Sequence, residues 1–338
     1  MRRIFVLFVV GCFLVSATAF AAERYPNRII TNVVVWAAGG GTDVCNRVVM
    51  AEMEKYLGVK INVVNMTGGV GGSIGMNHVY SQPHDGYTLC GLSESCVTAG
   101  VQGGFDKGMK VWDFFIIGGS PDVVSVPAGS PYKSLEELIE AAKKNPGAIK
   151  AGASAAGSIH HLNLLALEKG TGADFNFIPY PGSAPAQNAA LTGEVEVVVT
   201  SVAEQSQLIR AGQFRPLAVL VPDAFTIDSI TIPSAFDFYP QLKEYLPISQ
   251  AIGFAVPADV PEERKAVLRE AFKKAIESEA IQKWAKENFY VLSGKTGEEA
   301  KKEFLWLESL FSWALWELGA AEINPETLGI PRPEELQR

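Results

Sequence analysis

The chain has 338 residues, 48% hydrophobic and 20% charged, with 32 Gly, 19 Pro and a formal net charge of −8. Glycine and proline follow no period and the apolar fraction can fill a core, which excludes disordered and collagen-like chains; the length favours two domains. An acidic balance with no run of Lys/Arg longer than two excludes a nucleic-acid partner, since a phosphate backbone calls for a basic stripe.

Met1-Arg2-Arg3, a short apolar stretch from Ile4 to Phe20 and the small residues Ala19 and Ala21 read as a secretory signal peptide over residues 1–21. A membrane-spanning helix needs about 20 apolar residues, and no later run approaches that. Val9-Val10-Gly11-Cys12 is a weaker rival as a lipidation box, because the apolar stretch continues past the cysteine. Cleavage would remove Arg2, Arg3 and Cys12, leaving a soluble, exported and still more acidic chain. Of the remaining cysteines, Cys90 and Cys96 could pair in an oxidising compartment; with Cys45 they read more simply as small buried hydrophobes.

Beyond the leader, short β-rich runs alternate with segments of helical period, which predicts an α/β protein with largely parallel strands. Strand Ile29 to Trp36 leads to helix Asp43 to Leu57, stopped by Gly58; strand Ile61 to Val64, helix Ser73 to Ser81 and strand Tyr87 to Leu92 follow. Next come strands Phe114 to Ile117 and Val123 to Val126. Ser134-Leu135-Glu136-Glu137 then reads as a capping box opening a helix that ends near Asn145-Pro146-Gly147. Strand Ile149 to Ala151, helix Ile159 to Lys169, strand Asp174 to Pro179 and helix Ser183 to Leu191 continue the alternation. Strand Val195 to Thr200, helix Ala203 to Ala211 and strand Pro216 to Leu220 extend it, and helices Glu262 to Ser278, Ile281 to Asn288 and Glu298 to Leu318 close the chain. The turn after Pro121-Asp122 and the stretch Leu246 to Phe254 look like crossings between domains. Trp306, Trp313 and Trp316 lie among Glu303, Glu308 and Glu317, so that helix is expected to pack on the first lobe rather than on anionic lipid.

Most of the functional signal lies in two loops, Ala37-Ala38-Gly39-Gly40-Gly41-Thr42-Asp43 and Thr67-Gly68-Gly69-Val70-Gly71-Gly72-Ser73-Ile74-Gly75. Each follows a strand and opens a helix, so backbone N–H groups and the positive end of the helix dipole should converge into an anion site. A third loop, Ala151 to His161, repeats the arrangement and would face the first two if it belongs to a second domain. Neither of the first two loops matches a P-loop or a full G-x-G-x-x-G, and His160 with His161 lacks partners for a metal site, so no cofactor is expected. No G-x-S-x-G elbow, H-E-x-x-H or S-x-x-K set appears, which speaks against an enzyme.

These loops bring out a family likeness. Tyr25-Pro26-Asn27-Arg28, the Ala37–Asp43 loop, Gly71-Gly72-Ser73-Ile74-Gly75, Pro83-His84-Asp85-Gly86-Tyr87-Thr88-Leu89, Gly157-Ser158-Ile159-His160-His161-Leu162, Pro179-Tyr180-Pro181-Gly182-Ser183-Ala184-Pro185-Ala186 and Ile209 to Ala218 resemble, in order, the extracytoplasmic solute receptors of tripartite tricarboxylate transporters, the Bug family. The resemblance implies a type II periplasmic-binding-protein fold, two α/β lobes joined by crossing strands: residues 22–124 plus 250–338, and residues 125–249. It implies a periplasmic monomer that closes over a small carboxylate and delivers it to membrane permease subunits. Carried over, the ligand-binding positions are Ala38, Gly40, Thr42, Asp43, Gly72, Ser73, Ser158, His160, Tyr180 and Gly182. Thr200 joins them where the family usually has an Asp-Asn-like pair and this chain reads Thr200-Ser201. Trp36 replaces the usual Phe or Pro-Phe. Citrate, a dicarboxylate, an amino acid and an aromatic acid all fit such a clamp, and the same fold could serve a sensor subunit on a membrane signalling protein.

Overall fold

The computed structural model describes residues 24–244, 246 and 250–336. The expected signal peptide at 1–21 lies outside the described residues. The first half runs β1 (Ile30–Val34), α1 (Gly41–Leu57), β2 (Ile61–Asn65), α2 (Ser73–Tyr80), β3 (Thr88–Ser93), β4 (Trp112–Gly119), β5 (Asp122–Pro127) and α3 (Leu135–Lys144). Then come β6 (Lys150–Ser154), α4 (Ile159–Thr171), β7 (Asn176–Tyr180), α5 (Ser183–Leu191), β8 (Val197–Ser201), α6 (Val202–Arg210) and β9 (Phe214–Val219). The remainder is β10 (Phe225–Ile227), β11 (Ile230–Ile232), α7 (Ala235–Phe238), β12 (Ile252–Pro257), α8 (Glu262–Glu277), α9 (Glu279–Glu287), β13 (Val291–Leu292) and α10 (Gly297–Glu317). Among the described residues no helix is long and apolar enough to cross a membrane.

Two main sheets result, ordered β13-β4-β12-β3-β1-β2 and β7-β6-β8-β5-β9, with a separate β10-β11 ribbon. The chain leaves the first sheet after β4, enters the second at β5 and returns at β12. The expectation of largely parallel strands is corrected. β1 pairs parallel with β2 and β3, and β6 with β7 and β8. β12 runs antiparallel to β3 and β4, and β5 antiparallel to β8 and β9. The cause is the crossing itself: a strand that arrives from the other sheet enters opposite to strands delivered by right-handed βαβ units.

Helices α8 and α10 fix the first sheet from its two faces. Phe115 stacks on Phe254 at 4.4 Å and meets Phe272 of α8 edge-on at 5.7 Å, while Phe114 stacks on Phe304 of α10 at 4.0 Å. Each such pair is worth about 0.5–1.5 kcal/mol beyond its area. Trp313 is buried in the same cluster as Phe304, with its indole N–H donated to the carbonyls of Ile330 and Pro331. That cluster also takes in Ile159 and Leu162 of α4, a helix of the second sheet.

Local signals mostly hold. Gly58 caps α1 in the left-handed conformation, at φ 72°. The proposed capping box at α3 is half formed: Ser134 accepts from the Glu137 N–H, but Glu137 turns to the Lys133 N–H instead of that of Ser134. The complete box lies at α6, between Ser201 and Glu204. Cys45, Cys90 and Cys96 are buried free thiols, and burial raises the pKa of each.

Candidate functional site

Helix α1 opens on Gly40 and α5 on Gly182, and neither glycine supplies a side-chain cap. The first amides of both helices therefore look outward for acceptors. The fold brings the two openings together. A Cβ added at Gly40 would stand 3.7 Å from the Ser183 nitrogen, and one at Gly182 would stand 3.0 Å from the Ala37 Cβ. The Ala37 N–H donates to the Pro181 carbonyl at 3.2 Å, tying the loop of the first sheet to that of the second.

Around this junction lies a cleft lined by Trp36, Gly40, Gly41, Thr42, Ser93, Glu94 and Ser95 from the first sheet's side. Ser154, His160, Gly182, Ser183 and Glu204 face them from the second, with Gln250 at the crossing. Its enclosed volume is about 20 Å³, room for roughly one water rather than an organic acid. The cleft is shut.

Four sequence-derived candidates meet here: Gly40, Thr42, His160 and Gly182. The others do not line it. Ala38 is exposed. Asp43 braces its own loop, accepting from the Gly39 N–H, Asn65 and Arg47. Ser73 is buried, and Gly72 packs on Val35, where a Cβ would come within 2.6 Å of a valine methyl. Ser158 caps α4 by accepting from His161 N–H. Tyr180 donates to Glu194 and Thr200 accepts from Gln187.

The electrostatics centre on His160. Burial alone would lower its pKa, but the Asp122 carboxylate at 2.8 Å, with Glu204 and Glu94 beyond, overturns that and holds it at about 9. His160 is therefore a cation at neutral pH. Asn163 donates to the same Asp122 oxygen, Oδ2, at 2.7 Å, and Ser183 Oγ lies 3.2 Å from His160 Nε2. His161 does the opposite. Burial lowers its pKa to about 4; its Nδ1 accepts from the Gly157 N–H and its ring stacks on Phe177.

Two carboxyl groups were missed in the sequence. Glu94 is buried, which raises its pKa even though the Ala251 N–H at 2.6 Å and the Ser95 hydroxyl at 2.8 Å donate to it. The same Ser95 oxygen accepts from the Ile159 N–H, the first amide of α4. Glu204 Oε1 accepts from the Gly41 N–H at 2.6 Å across the cleft. The Ser201-x-x-Glu204 spacing could have announced the cap, but nothing local announces a partner 163 residues away.

Two mixed sheets, a chain that crosses between them and a polar cleft at helix amino termini define a two-lobed binding protein. Residues 45–301, well over half of the chain, match the model of the tripartite tricarboxylate transporter family receptor, TctC. The chain is 30% identical to the "UPF0065 protein in gbd 5'region" of Cupriavidus necator over 86% of this chain and 89% of that one. Among solved structures it is similar to a periplasmic transporter (27% identity, TM-score 0.79, covering 88% of this chain and all of that one). It also resembles R. palustris Rpa4515 with adipate (24% identity, TM-score 0.78, covering 88% and 99%). The chain belongs to the TctC receptor family, as the sequence resemblance implied, and has the periplasmic-binding-protein fold.

Proposed function

We propose that this protein is a periplasmic solute receptor that binds a small carboxylate between two lobes, residues 22–124 with 250–338 and residues 125–249. It delivers that acid to the membrane subunits of a tripartite tricarboxylate-type transporter. The observation that carries this is the meeting of two helix amino termini, each opened by a glycine without a side-chain cap, with the His160 cation beside them. Such termini favour anions through their free N–H groups and dipoles. The adipate held by the R. palustris neighbour is a ligand of that kind.

The acidic net charge does not oppose the assignment. Long-range repulsion is screened over roughly 8–10 Å at physiological ionic strength. Three charge-assisted hydrogen bonds at about 1.5–3 kcal/mol each act at contact and, after ordering costs, leave roughly −8 kcal/mol, a micromolar affinity. The test is a thermal-shift screen of protein stripped by unfolding and refolding, against adipate, malate, citrate, glutamate, benzoate and glucose. Ligand at 100 times its dissociation constant adds about 2.7 kcal/mol. A rise confined to acids is the expected result; a rise with glucose alone would reject a carboxylate receptor.

A further inference from the structure

The seat assigned above to a ligand's acid is held, in the shut cleft, by an acid of the chain itself. Glu204 is nearly fully buried, its Oε1 on the Gly41 N–H at 2.6 Å. Its Oε2 accepts from the Ser201 N–H and hydroxyl at 2.9 and 2.8 Å and lies 3.6 Å from His160 Nε2. One side chain thus uses the α1 terminus and faces the cleft's cation. Among the described residues no lysine or arginine lines the cleft, so an incoming acid has the same few positive features to use. Two carboxylates at such spacing repel and compete for one amide.

We propose that Glu204 is a specificity-determining residue acting as an internal competitor. It clasps the α1 terminus when the lobes close without an acid, and a ligand's carboxylate must displace it. This rests on the carboxylate-receptor assignment and deepens it. A competitor tethered to the second lobe acts at a high effective concentration. An acid with no other polar group cannot outbid it, whereas one carrying a second polar group that reaches the α5 terminus, Ser95 or Gln250 can. The ligand class is therefore a carboxylic acid bearing at least one further hydrogen-bonding group, and simple acids such as acetate are turned away.

The test compares the full mature chain with Glu204→Gln by calorimetry, using acetate and adipate as probes. Glutamine still serves at the third position of a capping box, so α6 keeps its start. It offers Gly41 only a neutral acceptor, which is weaker than a charged one. Both probes are expected to bind Glu204→Gln about tenfold more tightly, with acetate binding first becoming measurable in the variant. Small-angle scattering without added acid should show the variant more open. Unchanged or weaker affinity overturns the proposal whatever the scattering shows, because Glu204 would then be a bystander or a ligand contact. Should Glu204→Gln melt early, Glu204→Asp, which keeps the charge but falls short of Gly41, answers the same question. Adipate bound equally by both proteins rejects the competitor and leaves the receptor standing. If no acid in the screen binds even the wild type, the receptor assignment itself fails and takes the proposal with it.

Discussion

The loop after β1 and the loop after β2 both run from a strand of one parallel pair through several glycines into a helix, yet they end in different company. Gly40 and Gly41 stop opposite Ser183 and Glu204, groups delivered by the other sheet. Gly71 and Gly72 stop against Ala99 and Val35, groups of their own sheet's surroundings. Glycine marks where something comes close, and only the tertiary structure says what. In the first loop the absent side chains let a carboxylate reach a helix's first amide, as Glu204 does at Gly41; in the second they leave room for the core.

Three experiments bear on that contrast. The largest effect is expected from Gly72→Val. The backbone there has φ 75°, and the new Cβ would overlap a Val35 methyl, so strain and overpacking should cost about 3 kcal/mol or more in urea unfolding. A variant that kept full stability while losing acid binding would place the second loop at the ligand after all.

Next is the pH dependence carried by His160. Its folded pKa of about 9 stands above the 6.5 of an unperturbed histidine, so its contribution is fully present below pH 6.5 and is lost as pH rises through 9. That amounts to roughly 3 kcal/mol over the window. Urea midpoints measured from pH 6 to 10 should fall, and His160→Asn should flatten the curve. A wild-type midpoint that held steady would show that Asp122 does not hold the proton there.

The smallest and most discriminating effect separates two hydroxyls. Thr42→Ala, inside the cleft, should weaken adipate binding about fivefold, the loss of one hydrogen bond of about 1 kcal/mol. Ser73→Ala, behind the second loop, should change it by less than about twofold on the same scale. Equal losses in calorimetry would mean that both loops touch the ligand.

Much of this architecture was legible in the sequence, because helix and strand periods are local. The span Ser183–Leu191 coincides with α5, and the stop at Gly58 with the end of α1. The antiparallel crossings were less legible, since strand direction depends on where a chain re-enters a sheet. The short helical turn Glu94–Ala99, which carries Glu94 and Ser95 into the cleft, has no periodic pattern to announce it. The glycine loops pointed to an anion site, and the first of them lies in the cleft. The carboxylate sitting on it comes from a residue whose local grammar says only that a helix begins.

Ile159 and Leu162 were described above as members of the first sheet's apolar cluster although they ride on a helix of the second. Parting the lobes must wet them. Shutting the cleft is thus partly driven by water's cohesion, which weakens on cooling, while hydrogen bonds such as that from Ile159 N–H to Ser95 carry no such signature. Temperature becomes a handle on the gape of this molecule: chilled, it should hold its lobes together less firmly than at the warmth of a growing cell.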